Sequence, residues 1–337
     1  MKQIKVFIVE DSIFMRNVIS DIINSDPQLQ VIGTARDGEE ALNKLDELKP
    51  DVITLDIEMP RMDGLSVLKQ IMKKNPKPVI MLSALTQEGA IHTFKALEYG
   101  AVDYIPKPSG KISLNLSTIK DEIISKIKMA ASANLHKLKI KPVHIEAYEL
   151  TDKIVAIGAS TGGPQALTHV LTSLPDNVPP ILIVQHMPEG FTKPFAERLD
   201  SMCKFKVKEA EDGDYVSEQL ALIAPGGFHM TVSKTGRIQL RRGPAIHGVR
   251  PAVDPMMESV AEIYKSKTIG VLLTGMGRDG AYGMKKIKEN RGFTIAQDEE
   301  TSVVFGMPKA AIEEGCVDVV LPLHKIPLEI MRRCRKK

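Results

Sequence analysis

Cysteine is scarce in this sequence, net charge is small, and no apolar run is long. The three cysteines, Cys203, Cys316 and Cys334, are scattered and form no C-x-x-C pair. That excludes a disulfide framework and suits a reducing compartment. The formal net charge of +3 is too small to make nucleic acid the main partner, and the basic stretch MRRCRKK (331–337) reads as a solvated end. No stretch approaches the ~20 apolar residues that span a bilayer. MKQIKVFIVEDS reaches carboxylates too early for a secretory leader. The expectation is a soluble, cytoplasmic protein with no direct membrane insertion.

What is present is material for two cores. The chain has 337 residues, 43% of them hydrophobic, which is room for roughly two domains of ordinary size. In the first third, the short runs KVFIV (5–9), LQVIGTA (29–35), DVITL (51–55), PVIML (78–82) and VDYI (102–105) alternate with helical patterns. A last helix is expected near 116–130. This rhythm predicts a flavodoxin-like five-stranded parallel sheet with helices on both faces. Residues 131–150 are polar and Lys-rich and break the rhythm. The boundaries expected are a first domain over 1–126, a linker over 127–150 and a second domain over 151–337.

The second domain opens another α/β pattern. KIVAIG (153–158), PILIVQH (180–186) and TIGVLLTG (268–275) are nearly continuous apolar runs, as buried parallel strands are. Helices are expected near 164–173, 192–201, 254–265 and 280–290. Between them, DYVSEQLALIAPGGFHMTVSKTGRIQLRR carries alternating runs and glycine turns, which predicts an antiparallel hairpin. The class is a doubly wound, mostly parallel α/β fold.

In the first domain each strand end carries a polar residue of a particular kind. Strand one ends in Glu10-Asp11, strand three in Asp56, strand four in Ser83, and strand five leads to Lys107. The carboxyl ends of such a sheet form its binding crevice. Carboxylates gathered there need a cation, and an oxygen-only set suits Mg²⁺. With Lys107 and the Ser83 hydroxyl beside it, this is a site for phosphoryl transfer onto Asp56.

In the second domain VAIGASTGGPQAL (155–167) is a strand, a glycine-rich turn and a helix start. A P-loop needs Lys after its glycines, and Pro164 follows Gly163. A dinucleotide fold needs an acid at the end of the next strand, which here ends in Gln185-His186. Gly158-Ala159-Ser160-Thr161-Gly162 fits G-x-S-x-G, in the strand–turn–helix context that an exposed nucleophile requires. His186 ends the next strand and Asp279 lies in the turn after the third, so a base and its orienter stand on the same edge. The chain order Ser, His, Asp differs from that of α/β-hydrolases. Arg250, in the loop RPAVD, could hold a carboxylate. His229 lacks a second ligand at close spacing, and His92, His136, His144, His169, His247 and His324 read as surface or turn residues.

Two resemblances follow. Residues 1–126, through Glu10-Asp11, LDIEMPRMDG (55–64), Ser83-Ala84, Tyr104 and Lys107, resemble a response-regulator receiver domain. That implies phosphorylation of Asp56 by a partner histidine kinase. It also implies Mg²⁺ held by Glu10, Asp11, Asp56 and the Glu58 carbonyl, with Ser83 and Tyr104 relaying the change. The second domain, through GASTGG, VQHMP (184–188), APGG (224–227), RPAVDP (250–255) and TGMGRDG (274–280), resembles the chemotaxis protein-glutamate methylesterases. That implies Ser160 as nucleophile, His186 as base, Asp279 as orienter, and the Thr161 and Met276 N–H groups as oxyanion hole. It further implies methylated chemoreceptors as substrate, glutamine deamidation as a second activity, and no cofactor for ester hydrolysis. One departure is Val249, where that family often has His before Arg-Pro; His247 does not align with it. From the layout, a receiver on a linker of ~20 residues can fold back onto its neighbour, so the unphosphorylated receiver is expected to restrict access to Ser160 and phosphorylated Asp56 to relieve this. The competing readings are a receiver joined to a non-catalytic binding or transcriptional module, and a nucleotide-binding enzyme.

Overall fold

Runs of β-branched and apolar residues need cover on both faces, and they find it in two separate parallel sheets. The structure, a computed structural model, describes residues 3–107, 116–133, 145 and 149–336. They fall into two units, 1–136 and 137–337.

In the first unit β1 (Ile4–Val9), β2 (Leu29–Ala35), β3 (Val52–Asp56), β4 (Val79–Ser83) and β5 (Asp103–Pro106) alternate with five helices. These are α1 (Ile13–Asn24), α2 (Gly38–Leu48), α3 (Gly64–Lys74), α4 (Gln87–Glu98) and α5 (Leu116–Ala131). The sheet order is β2-β1-β3-β4-β5, all neighbours parallel. The chain therefore reverses direction between β1 and β3, and the crevice at that point is where such sheets bind ligands. Ser12, Asp37, Asp63 and Thr86 cap the helices α1 to α4 through side-chain oxygens, satisfying N–H groups the helices leave unpaired. A Cβ on Gly64 would lie 1.9 Å from the Asp56 carbonyl, so glycine is what lets α3 start against the end of β3. Of the expected linker 127–150, residues 127–131 are the end of α5, with Ile127 and Ala130 fully buried. Its residues 134–144 and 146–148, with His136 and His144, lie outside the described residues.

In the second unit β6 (Ile154–Ala159), β7 (Ile181–Gln185) and β12 (Thr268–Leu272) arise from the three long apolar runs. Four more strands join their sheet: β8 (Lys206–Glu209), β9 (Leu220–Ile223), β13 (Phe293–Gln297) and β14 (Val319–Leu321). The order is β14-β13-β12-β6-β7-β9-β8 and every pairing is parallel. The antiparallel hairpin forms from β10 (His229–Val232) and β11 (Ile238–Arg241). LALI, from the same stretch of sequence, instead enters the parallel sheet as β9, where Ala221, Leu222 and Ile223 are sealed from water. The helices are α6 (Gly163–Ser173), α7 (Thr192–Met202), α8 (Val253–Tyr264), α9 (Ala281–Glu289), α10 (Met307–Glu313) and α11 (Ile326–Cys334).

The unit is stitched at both ends. Thr151 N–H donates to the Cys334 carbonyl at 2.7 Å and Lys336 N–H to the Glu149 carbonyl at 2.9 Å. Among the described residues no helix is long and apolar enough to cross a membrane.

Candidate functional site

β6 is the strand from which the second sheet grows in both directions, to β7 on one side and β12 on the other. Its carboxyl end is thus a switch point, and Ser160 stands there. Ser160 N–H donates to the Thr274 carbonyl (3.1 Å), and its own carbonyl accepts from Gly163 N–H (2.8 Å) and Gln185 Nε2 (2.9 Å). Three segments therefore fix one turn. Gly162 adopts φ +73° ahead of α6, a backbone state that favours glycine. A Cβ on Gly275 would fall 2.8 Å from Ser160 Cβ, so the glycine-rich turn after β12 packs directly behind the serine.

Ala159 and Gln185 are in register, so Ser160 and His186 follow paired positions. His186 N–H donates to the Ala159 carbonyl at 3.1 Å, and its Nε2 meets Asp279 Oδ2 at 2.7 Å. The hydroxyl of Ser160 is not hydrogen-bonded to the ring. Asp279 is 2% exposed and also accepts from Val253 N–H (2.6 Å) and Asp254 N–H (3.0 Å). Burial alone would raise its carboxyl. The His186 hydrogen bond and charge, with the two N–H groups, outweigh burial and hold it below the ordinary carboxylate range. An ionised acceptor at Nε2 places the proton of a neutral imidazole there. Nδ1 is left as the basic nitrogen.

The first unit gathers its acids differently. Glu10 (0% exposed), Asp56 (1%) and exposed Asp11 bring carboxylate oxygens within 4.8 Å of one another. Lys107 Nζ lies 2.7 Å from Asp56 Oδ2 and 3.0 Å from Glu10 Oε2. Among the described residues, that ammonium is the only donor facing those two oxygens. Burial, then the charge of Asp56, push Glu10 up to about 7, with Lys107 and Ser12 N–H only partly offsetting them. Burial also raises Asp56 against the pull of Lys107. Burial acts against the charge on Lys107 as well, but Asp56 and Glu10 outweigh it and its pKa rises. Glu58 N–H donates to Asp56 Oδ1 at 3.2 Å. Ser83 is fully buried and donates to the Gly89 carbonyl, while Thr93 Oγ1 donates to it at 2.8 Å. Its hydroxyl is therefore engaged with α4. Tyr104 is buried, with Lys126 Nζ 5.0 Å from its ring centroid.

Comparison with known proteins places both units in known families. The family model described as CheB methylesterase matches residues 155–330, and the response regulator receiver domain model matches 6–118. The chain belongs to the CheB methylesterase family. A protein-glutamate methylesterase/protein-glutamine glutaminase of Pyrococcus abyssi is 55% identical over 344 residues, 98% of this chain and 94% of that one. The protein of the same name from Thermotoga maritima is 51% identical over 336 residues, 97% of this chain and 98% of that one. The crystal structure of the Thermotoga maritima CheB methylesterase catalytic domain matches with a TM-score of 0.52 and 52% identity, covering 54% of this chain and 99% of that one. The output unit is therefore an enzyme, and a binding or transcriptional module is not favoured.

Within this family's architecture, the other predicted residues find plainer places. Arg250 is exposed and its guanidinium donates to the Gly243 carbonyl. His229 is buried and bridges backbone groups: Nε2 meets the Pro244 carbonyl at 2.9 Å and Nδ1 accepts from Ala252 N–H at 3.2 Å. His169, read as a surface residue, is instead buried on α6 at 5% exposure, because that face of the helix turns inward. His247 sits on a turn but pairs with the buried Asp254, Nε2 to Oδ2 at 3.0 Å. Gln185, Gln297 and Asp254 were missed as site residues. Gln185 and Gln297 end otherwise apolar strands, and that polar ending was the available signal. Gln297 Oε1 accepts from Thr274 N–H at 2.8 Å, so both glutamines pin the turns around Ser160.

Proposed function

We propose that this chain is a cytoplasmic protein-glutamate methylesterase and protein-glutamine deamidase acting on the cytoplasmic domains of chemoreceptors. The observation that carries this reading is the His186–Asp279 pair at 2.7 Å, on the strand end beside Ser160. Ser160 Oγ attacks the γ-carbonyl carbon of a methylated glutamate while His186 Nδ1 takes its proton. The oxyanion is received by the Thr161 and Met276 N–H groups. His186 returns the proton to the departing methoxide, and methanol leaves. Water, deprotonated by the same imidazole, cleaves the acyl-serine and frees the carboxylate. A glutamine side chain follows the same course and releases ammonia.

Asp56 is the phosphoacceptor, served by a chemotaxis histidine kinase, and its phosphorylation relieves a restraint on the Ser160 site. Glu10, Asp11, Asp56 and the Glu58 carbonyl would hold Mg²⁺. The fit rests on the ligand chemistry: oxygen only, with buried Glu10 Oε2 and Asp56 Oδ2 facing no donor but the one ammonium of Lys107. When bound, the ion neutralises the crowded carboxylates and the incoming phosphoryl oxygens. Lys107 remains to pair with the phosphoryl group once Asp56 carries it as an acyl phosphate.

The test is methanol release from methyl-labelled receptor membranes. Ser160→Ala should lower the rate by roughly 10⁴-fold or more; a rate equal to wild type rejects the assignment. A small phosphodonor should stimulate the full chain, and Asp56→Asn should lose that stimulation while keeping basal activity. Equal rates for the full chain and for residues 151–337 would reject the regulatory reading.

A further inference from the structure

Helices α8 and α9 cap one another. Asp279, just ahead of α9, accepts from the first two N–H groups of α8, those of Val253 and Asp254. Asp254, in the first turn of α8, accepts in return from Gly280 N–H (2.9 Å) and Gly283 N–H (2.8 Å) at the start of α9. Each carboxylate then takes one imidazole: His186 on Asp279 at 2.7 Å and His247 on Asp254 at 3.0 Å. The facing atoms of His247, Asp254 and Asp279 all lie within 4.8 Å of one another. Two His–Asp pairs thus share one scaffold, and only the inner one belongs to the proposed triad.

Geometry allows little else here. A Cβ on Gly283 would lie 2.5 Å from Met257 Cβ, and one on Gly280 2.5 Å from Leu272 Cδ1. The start of α9 is therefore held close against α8 and the end of β12, and Asp254 reaches both N–H groups. All four carboxylate oxygens accept hydrogen bonds, which makes this a closed network and not an open ligand set. His247 is presented by a two-residue turn: Ile246 and Val249 exchange N–H···O bonds of 3.1 and 3.0 Å, with φ +52° at His247 and +78° at Gly248.

We propose that Asp254 is a positioning residue for hydrolysis at Ser160, acting through Asp279, and that His247 sets the strength of that action. The proposal rests on the reading of Ser160, His186 and Asp279 as the catalytic set. Asp254 pins residues 280–283, which directly follow Asp279 and so fix its aim. Its negative charge also favours the imidazolium that His186 becomes when it takes the serine proton. That second carboxylate is costly to bury. Burial, and the facing Asp279, raise Asp254 above the ordinary range, with backbone N–H groups and His247 opposing. His247, at 39% side-chain exposure, reaches Asp254 from the solvent side and opposes that cost through its hydrogen bond.

The other charged groups nearby are engaged. Arg278 bonds Glu314 at 2.8 Å, Arg250 bonds the Gly243 carbonyl, and Glu258 accepts from the Tyr282 hydroxyl at 3.5 Å. The segments packed from β6 and β7 offer Ser160, Thr161 and Gln185, none of them charged, and β10 offers His229, whose two ring nitrogens are taken by the Ala252 N–H and the Pro244 carbonyl. On α10, Lys309 pairs with Glu313 at 3.8 Å.

The experiment is the kcat/KM–pH profile of methanol release for wild type, Asp254→Asn, His247→Asn and Ser160→Ala. In Asp254→Asn the amide oxygen can still accept from Gly280 and Gly283, so chiefly charge is lost. Its kcat should fall about tenfold with KM within about twofold. Its acid limb should move down by about one pH unit, as expected for removing one charge at this range. His247→Asn, tolerated at positive φ, leaves Asp254 unopposed and should move the limb up by a smaller amount. Limbs that stay in place, or that move in the same sense, overturn the proposal, because a purely structural Asp254 would change only the height of the profile. Should Asp254→Asn fail to fold, His247→Asn, on an exposed turn, decides by itself through its upward limb. A Ser160→Ala protein that keeps wild-type activity brings down the catalytic reading and this proposal with it. An inactive Ser160→Ala beside a wild-type profile for Asp254→Asn removes only the proposal.

Discussion

Asp56 and Asp279 both stand at the carboxyl edge of a parallel sheet and are both nearly sealed from water, at 1% and 2% exposure. Their surroundings make them different chemical objects. Asp279 is surrounded by donors, which are two backbone N–H groups and an imidazole, and is held below the usual carboxylate range. Asp56 has one backbone N–H and a lysine that it must share with Glu10, and is raised. A satisfied carboxylate is a fixed support for a neighbouring base. An unsatisfied one is poised to accept a cation and a phosphoryl group. The same edge of the same kind of sheet supplies a support in one unit and an acceptor in the other, and the count of donors decides which.

The largest effect that would break this comparison comes from the support. Asp279→Asn keeps the shape but can present an NH₂ to Nε2, turning the imidazole to the wrong tautomer. Methanol release should fall about 10⁴-fold, and melting should drop modestly, because the same position accepts from Val253 N–H; a loss of activity below tenfold would show that Asp279 does not hold the base. A smaller effect sharpens the other side. Folded Glu10 keeps its proton to about pH 7, while the unfolded chain releases it near 4.5. The folded state therefore binds more protons between those values, and its stability falls as pH rises through that window, by about 3 kcal/mol in all. Melting of the full chain in divalent-free buffer should show the receiver transition lower at pH 7.5 than at pH 5, with excess Mg²⁺ narrowing the gap. Glu10→Gln should remove most of this dependence. The smallest effect tests how the serine turn is held. A Cβ on Gly163 would lie 2.0 Å from Gln185 Oε1, so Gly163→Ala must displace the side chain that grips the Ser160 carbonyl. We expect roughly a tenfold drop in kcat; an unchanged rate would mean that Gln185 is not needed to hold the turn.

Much of the two sheets was legible because parallel strands announce themselves as unbroken apolar runs ending in polar residues. Glu10, Asp56, Ser83 and Lys107 were legible for that reason, and so were Ser160 and His186 on neighbouring strand ends. Four strands of the second sheet were not named from sequence. β8 (KVKE) alternates charge because it is an edge, and β14 is three residues long; neither resembles a buried run. Asp254 was seen only as part of a loop, since its partners at Gly280 and Gly283 lie 26 and 29 positions away and meet it only when α8 docks on α9. His169 was taken for a surface residue because one polar side chain on an apolar helix says nothing of which way the helix will turn.

The stitching of the second unit has a consequence for how the protein is made. All the described elements of the receiver end by residue 131, so its sheet can close while the rest of the chain is still being translated. The hydrolase has no such head start. Its first strand follows directly on Thr151, which is bonded to Cys334 across 183 positions, and Glu149 is held by Lys336. On a ribosome working from the amino end, the switch is thus complete before the enzyme it governs, and nascent chains short of Cys334 would carry a finished receiver beside a hydrolase not yet closed.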